Sequence, residues 1–415
     1  MRRGGGVAGK RGRRLLTISL LLTTITGVGT AQDASRRPPT PASPPESLTV
    51  YLMTMGPGRR VWERFGHNAI WIHDPAAGTD KAYNYGLFDL RQDNFVLRFI
   101  QGRMWYWMQG FPAQSYVDLY RRANRSVWIQ ELDIPPASRR ELQRFLEWNE
   151  RPENRFYHYD YYRDNCSTRI RDALDRAIGG RIQESTGQRP TGKTYRFHTR
   201  RLTAADPLVY TGLLLALGQP VDRPISAWEE MFLPLALREH IRDITLVQNG
   251  VEKPLVKSER TLFESSDPAP PDRPPFLLPY YLITGLVIGG AAFGAGRASK
   301  GNRAARLGLV VGSAVWALVV GIAGLVVAGL WAFTDHAAAY RNENLLQASF
   351  VVLLLPWWVR KGRGVTVALV VAALAALGLF LKLFPPFFQV NGEIIALALP
   401  AHLGVAAGLM QMTRR

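Results

Sequence analysis

The distribution of apolar residues divides the chain into two unlike parts. Up to about Pro275 the sequence is polar, rich in arginine and interrupted by prolines, whereas beyond it long runs of Leu, Val, Ala and Gly carry almost no charge. An uncharged run approaching 20 residues predicts a transmembrane helix. Five runs are candidates, of which the third and fifth are short: Phe276–Gly296, Leu307–Phe333, Leu345–Val359, Val365–Leu381 and Ile394–Leu409. We therefore predict an all-α bundle of about five transmembrane helices over residues 276–415.

The loops between these runs predict their orientation. Lys and Arg concentrate in the loops 297–306 and 360–363 and at the C-terminus, whereas the two remaining loops hold one basic residue each. Because basic loops stay in the cytoplasm, the first run is expected to pass from outside to inside. The loop Thr334–Asn344 is then on the outer side, together with the domain that precedes the helices.

The N-terminal segment agrees with this orientation. An arginine-rich start, an apolar stretch and small residues up to Ala31 are typical of a secretory signal peptide (1–31), with an uncleaved anchor as the alternative. The proline-rich segment 32–47 predicts a stiff linker. Residues 48–275 are then an exported domain.

Strands and helices are mixed in the exported domain without regular alternation, which predicts the α+β class. Period-2 patterns predict four strands, at Ser47–Thr54, Gly66–Ile72, Ala82–Tyr85 and Val127–Leu132. Helices are expected at Ser115–Arg122, Pro136–Asn149 with a Ser138 cap, Asn165–Ile178 and Ile225–Arg238, with further scattered helices over 181–275.

The strong positive charge changes the expected partners. The formal net charge is +18 and the pI is about 10.3. An exported membrane protein meets no nucleic acid, so we expect the lipid bilayer and its anionic headgroups to be the partner of these charges.

A single cysteine, Cys166, is the first candidate for chemistry, because no internal disulfide can form. Asp164 or Asn165 suits the helix N-cap, which puts Cys166 in the first helical turn. There the helix dipole, Arg163 and Arg169 are expected to lower the thiol pKa, and first-turn N–H groups could form an oxyanion hole. The alternative is an inert, buried core thiol.

A thiol nucleophile needs a base, and His67 at the start of an apolar strand is the candidate. Asn84, on the strand expected to pair with it, is favoured as the group that orients the histidine, with His73 and Asp74 as competitors. Two histidines without a clear third ligand fit no common zinc spacing, so neither a metal nor another cofactor is expected.

Several segments together resemble the Lnb N-terminal periplasmic domain family, whose characterised members are bacterial lipoprotein N-acyltransferases. They are Phe65-Gly66-His67-Asn68, Tyr83-Asn84-Tyr85-Gly86-Leu87-Phe88-Asp89, Asn94-Phe95 with Gly102, Tyr159-Asp160, Asp164-Asn165-Cys166-Ser167-Thr168-Arg169, Trp228-Glu229-Glu230-Met231-Phe232-Leu233-Pro234, Asp335-His336 and Asn342-Glu343-Asn344-Leu345-Leu346. The order of histidine before cysteine is also similar to the circularly permuted papain-like thiol superfamily, which includes NlpC-type enzymes and lecithin retinol acyltransferase.

The resemblance implies a function and a site. Cys166, His67 and Asn84 would be catalytic, and an acyl chain would pass from a phospholipid through a Cys166 thioester to the N-terminal amine of lipoproteins. The protein would be a multi-pass component of the bacterial inner membrane with its catalytic domain in the periplasm. Residues expected to contribute to substrate binding are His73, Tyr85, Asp164, Asn165, Arg169, Asp335, His336 and Asn342.

Other functions stay open. A cell-wall cysteine amidase or peptidase would use the same two residues but would not need five spans. A non-catalytic receptor or assembly factor would tolerate loss of the thiol. A permease is disfavoured because the spans lack buried charged pairs. The aromatic residues Trp105, Tyr106, Trp107 and Phe111 either enter the membrane interface or belong to the core.

Overall fold

The computed structural model describes residues 48–414. The signal peptide and linker predicted for residues 1–47 therefore lie outside the described residues.

One antiparallel sheet organises the first half of the described chain. Its strands, in chain order, are β1 (Thr49–Met55), β2 (His67–Asp74), β3 (Thr79–Leu87), β4 (Trp105–Pro112), β5 (Val127–Leu132) and β6 (Phe156–His158). Four short strands make two small hairpin-like pairs, β7 (Pro190–Thr194) with β8 (Pro224–Ser226) and β9 (Thr245–Gln248) with β10 (Val251–Pro254). A final strand, β11 (Val256–Phe263), returns to the large sheet, whose order is β11-β5-β1-β2-β3-β4-β6.

Nine helices accompany these strands in residues 48–275. They are α1 (Phe95–Gln101), α2 (Ala113–Arg122), α3 (Pro136–Asn149), α4 (Cys166–Ala177), α5 (Arg181–Thr186), α6 (Tyr195–Thr203), α7 (Pro207–Ala216), α8 (Ala227–Glu230) and α9 (Pro234–His240). The helical region that follows contains α10 (Leu278–Ala298), α11 (Arg303–Phe333), α12 (Leu355–Arg360), α13 (Gly364–Phe380) and α14 (Gly392–Thr413).

The sheet is covered on both faces, because successive side chains of a strand point to opposite sides. One face, which includes Leu52 and Ile70, packs in a single core with Leu146 of α3 and Ile170 of α4. The other face packs against α2 through residues such as Tyr116. The α+β prediction is confirmed, and β1, β2, β3, β5, α3 and α4 occur where the sequence predicted them.

Two local predictions were wrong and a third was incomplete. Pro135, not Ser138, occupies the N-cap of α3, and no side chain caps it. The helix expected over 225–238 is divided into β8, α8 and α9, because Pro234 cannot continue a helix and instead begins α9. The scattered helices expected over 181–275 are present as α5 to α9, but the segment also contributes five strands, among them β11 at the edge of the large sheet.

The prediction of five transmembrane helices needs correction. Among residues 48–414, four helices are long and apolar enough to cross a membrane: α10, α11, the helix Gly364–Leu383 that contains α13, and α14. The predicted third span, Leu345–Val359, is not one long helix. It consists of 3₁₀ turns at Glu343–Leu346 and Phe350–Leu354 followed by α12, whose first turn contains a proline.

The chain nevertheless runs the length of the helical region five times. A Cβ atom on Gly324 of α11 would contact Ala348 and one on Gly321 would contact Val352, so this segment runs antiparallel to α11. The glycines of α10 meet α14 in parallel order, with Gly285 against Leu397 and Gly296 against Gly408. Because α10 and α14 are parallel, the chain must cross the helical region an odd number of times between them. Helices α11 and α13 account for two crossings, so the segment 343–360 is the third.

The two ends of the helical region differ in charge and contacts. At one end the start of α11, the C-terminal end of α12 and the C-terminal end of α14 pack together through Leu309, Trp358 and Leu409, next to the basic loops. At the other end the loop after α11 contacts the sheet-rich region, where the Asp335 backbone N–H donates to the Gln101 carbonyl (2.8 Å). The loop 334–344 therefore lies on the side of the sheet-rich region, as the sequence predicted.

Candidate functional site

Cys166 and His67 meet at Gly86. Cys166 begins α4, His67 begins β2, and Gly86 lies near the end of β3, the neighbour of β2. A Cβ atom on Gly86 would lie 3.3 Å from the Cβ of Cys166 and 3.9 Å from the Cε1 of His67. The φ angle of Gly86 is +94°, a conformation that glycine adopts without steric cost. Glycine is therefore required here both by the backbone and by the close approach of the two side chains.

The helix start that carries Cys166 is held by its own cap. The side chain of Asn165 accepts hydrogen bonds from the backbone N–H groups of Ser167 (2.9 Å) and Thr168 (3.0 Å). Its amide group also donates to the carbonyls of Tyr161 and Phe232 (2.9 Å each). Asn165, one of the two predicted caps, thus fixes the direction of the first turn.

A hydroxyl ties this helix start to the strand of His67. Ser167 Oγ is 2.7 Å from the Met231 carbonyl oxygen and 2.8 Å from Oδ1 of Asn68, the residue after His67. Ser167 and Asn68 are both buried. The relative position of nucleophile and histidine therefore rests on a buried polar contact between α4 and β2.

The environment of the thiol corrects the expectation of a lowered pKa. Burial raises the pKa of Cys166 to about 11, and the backbone N–H groups of Asn68, Ser167 and Cys166 oppose this only in part. Arg169, which was expected to help, is bound to Asp164 and lies 4.4 Å over the ring of Tyr157. Desolvation therefore outweighs the helix start, and the resting group is a neutral thiol.

His67 is shifted in the opposite direction. Burial lowers its pKa to about 3, the positive charge of Arg125 adds to the effect, and the side chain of Asn84 opposes it. The ring lies nearly parallel to that of Tyr120, with 6.3 Å between centroids. The imidazole is therefore neutral at physiological pH and is able to accept a proton.

Of the three groups proposed to orient His67, only Asn84 lies beside it. The Asn84 amide donates to the Gln109 carbonyl (2.8 Å), which fixes the plane of the carboxamide. His73 lies at the far end of β2, with its Nδ1 2.5 Å from Asp80, and Asp74 accepts a hydrogen bond from a nearby turn. The structure does not bring His73 or Asp74 to the thiol.

Arg125 is a residue that sequence reasoning missed. It lies between α2 and β5, and its Nε donates to the Gly56 carbonyl (2.8 Å) while the guanidinium stacks 4.6 Å over Tyr120. It is only 6% exposed and its charge lowers the pKa of both His67 and Cys166. The sequence signal, an arginine just before an apolar strand, does not reveal this burial.

Unpartnered polar atoms collect around the thiol. Among the described residues, four buried atoms near it have no hydrogen-bond partner: His67 Nε2, Asn84 Oδ1, Arg125 Nη2 and Tyr157 Oη. The Tyr157 hydroxyl is 4.0 Å from the Cβ position at Gly86. Buried polar groups are rarely left unpaired without a reason, so this concentration distinguishes the site from an ordinary core thiol.

The other predicted binding residues have varied surroundings. Tyr85 donates to Asn149 (2.6 Å) within the core, and Asp164, Asn165 and Arg169 serve the start of α4. Asn342 is buried, and its side chain donates to the last carbonyls of α7, those of Leu215 and Ala216.

The loop after α11 does approach the site. Asp335 pairs with Arg103 (2.6 Å), and the His336 ring stacks on Tyr161, with centroids 5.8 Å apart. Tyr161 in turn accepts a hydrogen bond from Asn165, the cap of α4. Within residues 48–414, no group of three or more His, Cys, Asp or Glu side chains is arranged to hold a metal ion.

Comparison with known proteins gives one match. The family model described as the Lnb N-terminal periplasmic domain matches residues 36–202, which include His67, Asn84, Arg125 and Cys166. No curated protein and no solved structure matches the chain.

Proposed function

Residues 36–202 belong to the Lnb N-terminal periplasmic domain family, and on this basis we propose that the protein is a membrane-bound thiol acyltransferase. It transfers an acyl chain from a phospholipid to the N-terminal amine of bacterial lipoproteins. The observation that carries the proposal is the meeting of Cys166, at a helix start, with a neutral His67 at Gly86. The family and the four apolar helices indicate a membrane protein with a periplasmic domain, which would have both substrates within reach.

In the first step, His67 accepts the proton of the Cys166 thiol as the sulfur attacks the ester carbonyl carbon of the lipid. The ester C–O bond then breaks, and His67 returns the proton to the leaving lysophospholipid oxygen. The acyl chain remains on Cys166 as a thioester. Because both groups are neutral at rest, the proton moves only when a carbonyl is present to receive the charge.

In the second step, the lipoprotein amine attacks the thioester carbon. His67 takes the proton of the amine, the C–S bond breaks, and the thiolate regains a proton from His67. The products are an amide and the free thiol. Cys166 is half-buried, which limits the access of water, and a thioester there reacts well with an amine as the acceptor.

Two further residues have proposed roles in these steps. Asn84, beside His67, orients the imidazole, and Arg125 stabilises the negative charge that develops at the sulfur and the carbonyl oxygen. The helix that carries Cys166 packs on the sheet that carries His67, which supports our inference that the domain is of the circularly permuted papain-like type.

The contact between His336 and Tyr161 favours lipid substrates over a soluble one. It joins the segment before Cys166 to the loop that follows a long apolar helix. A cell-wall amidase would gain nothing from this connection, since its substrate lies away from the bilayer.

The test is mass spectrometry of lipoprotein N-termini in cells that lack their own N-acyltransferase and express this protein. We expect acylated amines with the wild type and free amines with Cys166→Ala or His67→Ala. His73→Ala, a histidine on the same strand but away from the thiol, is the matched control and should acylate normally. Free amines with the wild type would exclude the acyltransferase, and acylation by Cys166→Ala would exclude the thioester.

A further inference from the structure

An open cavity lies between α1 and the edge of the large sheet. Its volume is about 500 Å³. It is lined by Asp89, Gln92, Arg98, Trp105, Trp107, Arg155 and Phe156. Trp107 adjoins the strand end at Gly86, since it is the register partner of Leu87. The cavity is therefore a neighbour of the thiol site but shares none of the residues assigned to it.

Positive charge predominates among the side chains that line the cavity. Arg98 and Arg155 both line it, and neither forms an ion pair with a carboxylate among residues 48–414. The one lining carboxylate, Asp89, is bound by Arg91 (2.9 Å). The Nε of Arg155 is buried without a hydrogen-bond partner, and its guanidinium lies 5.0 Å over the ring of Phe156. The cavity thus offers two guanidinium groups to an anion.

Helix α1, which forms one wall of the cavity, also exposes apolar side chains to solvent. Helix α1, which supplies Arg98, exposes Val96 (69%), Leu97 (53%) and Ile100 (54%). Apolar side chains that stay exposed together on a short helix are typical of a surface that contacts lipid or a partner.

The position of α1 favours lipid over a protein as the partner of this surface. Its last residues are bound to the loop that follows α11: Asp335 N–H donates to the Gln101 carbonyl (2.8 Å), and His336 Nε2 is 2.9 Å from the Phe99 carbonyl oxygen. Since α11 is long and apolar enough to cross a membrane, α1 lies where a crossing helix ends. That is the level of the headgroups in a bilayer, and an apolar helix face there is expected to enter the interface.

We propose that this cavity binds the phosphate of an anionic glycerophospholipid. Arg98 and Arg155 contact the phosphate oxygens, for which guanidinium groups provide paired, charge-assisted hydrogen bonds. The rings of Trp105, Trp107 and Phe156 contact the glycerol and the upper part of the acyl chains. The site holds the domain on the bilayer beside the thiol, and it does not depend on which lipid donates the acyl chain.

The test compares lipids that differ only in the headgroup. Full-length protein in detergent is titrated with phosphatidylglycerol or with diacylglycerol of the same acyl chains, and bound lipid is counted by native mass spectrometry. We expect phosphatidylglycerol to bind at least about tenfold more tightly, a preference that Arg98→Gln/Arg155→Gln reduces about tenfold. Arg122→Gln/Arg144→Gln, which removes two charges from exposed helical positions, should keep the wild-type preference. Thermal unfolding of both double variants shows whether they are folded.

Two results would overturn the proposal. One is equal binding of phosphatidylglycerol by the folded Arg98→Gln/Arg155→Gln variant and the wild type. The other is displacement of the lipid by inorganic phosphate at equal concentration, which would make the cavity a site for small anions. Cys166→Ala should bind phosphatidylglycerol as the wild type does, so failure of the thiol chemistry would leave this site unaffected.

Discussion

Two buried polar clusters in this protein differ in how their atoms are satisfied. Around Cys166, the buried atoms His67 Nε2, Asn84 Oδ1 and Arg125 Nη2 have no hydrogen-bond partner among the described residues. At the junction of the sheet-rich and helical regions, the carboxylate of Glu343 accepts from Gln219 (2.7 Å), from the Gln389 backbone (3.0 Å) and from Lys382.

The junction cluster continues in the same manner on both sides of Glu343. Asn342 donates to the carbonyls of Leu215 and Ala216, and Asn344 donates to that of Leu214. These carbonyls belong to the end of α7, where a helix leaves its last acceptors unpaired. The polar side-chain atoms of Asn342, Glu343 and Asn344 are therefore bound within the protein, although Oδ1 of Asn391, whose amide donates to Asn344, has no partner among the described residues.

The difference teaches how to separate two kinds of buried polar residue that look alike in the sequence. The partnered side chains of Asn342, Glu343 and Asn344 connect the two regions, whereas we propose that the unpaired atoms grouped around Cys166 are available to a substrate. On this basis we assign Asn342 to the fold and propose Asn84 as a member of the site.

The pH dependence of thiol alkylation tests the first cluster. Because the pKa of Cys166 is about 11, its thiolate fraction rises tenfold for each pH unit below that value. The rate of modification by iodoacetamide should therefore increase about 100-fold from pH 7 to pH 9. Intact-mass measurement gives the rate directly, since the chain has one cysteine. A rate that no longer changes above pH 6 would indicate a thiolate–imidazolium pair instead of two neutral groups.

Removal of the junction carboxylate tests the second cluster. Glu343→Gln leaves Lys382 partly buried without its counter-ion, and we expect a loss of about 2–4 kcal/mol in unfolding free energy. Thermal unfolding in detergent measures this, and activity per folded molecule should be unchanged. Glu239→Gln, an exposed position on α9, is the control for the same change in charge. An unaltered unfolding midpoint in Glu343→Gln would remove the distinction between the clusters.

Arg125→Gln tests whether Arg125, which was not predicted from the sequence, affects the reaction at Cys166. Its charge lowers the pKa of His67, so its removal lets that pKa rise. A base must be neutral to accept a proton, and the acid limb of the kcat/KM profile should therefore move to higher pH. We also expect kcat/KM to fall about tenfold at neutral pH. An equal loss at every pH, with no movement of the limb, would assign Arg125 a purely structural role.

The smallest effect is expected at the contact between His73 and Asp80, which lies outside both clusters. His73 and Asp80 are substantially exposed, so their interaction contributes less than about 1 kcal/mol to stability. His73→Ala should change kcat/KM by less than about twofold, because the residue lies at the far end of β2. A large loss of activity would show that substrate reaches that end of the strand.

The sequence predicted the parts of the fold that local pattern controls. The alternation in β2 and β5 and the Asn-Cys-Ser-Thr start of α4 are local signals, and all three elements occur as expected. Strand β4 was missed because large aromatic residues lie on both of its faces, and β11 was missed because an exposed edge strand can be rich in charge.

The sequence indicated which residues lie together but not their electrostatics. The single cysteine, a histidine at the start of an apolar strand and an asparagine on the strand paired with it indicated Cys166, His67 and Asn84. The raised pKa of Cys166 and the role of Arg125 depend on burial by residues distant in sequence, which no local pattern encodes. Likewise, the segment 343–360 traverses the helical region without being one helix, since its polar residues are bound by its neighbours.

The parallel contact of α10 with α14 has a consequence for how the protein is made. The first and last long helices meet through glycines, so α10 has no close partner on that face until α14 has been synthesised. Because a chain is synthesised from its N-terminus, the contacts between α10 and α14 form only after α14 has been made. We therefore expect a chain truncated before Gly392 to leave Gly285 and Gly296 of α10 uncovered, and its helical region to be incompletely packed.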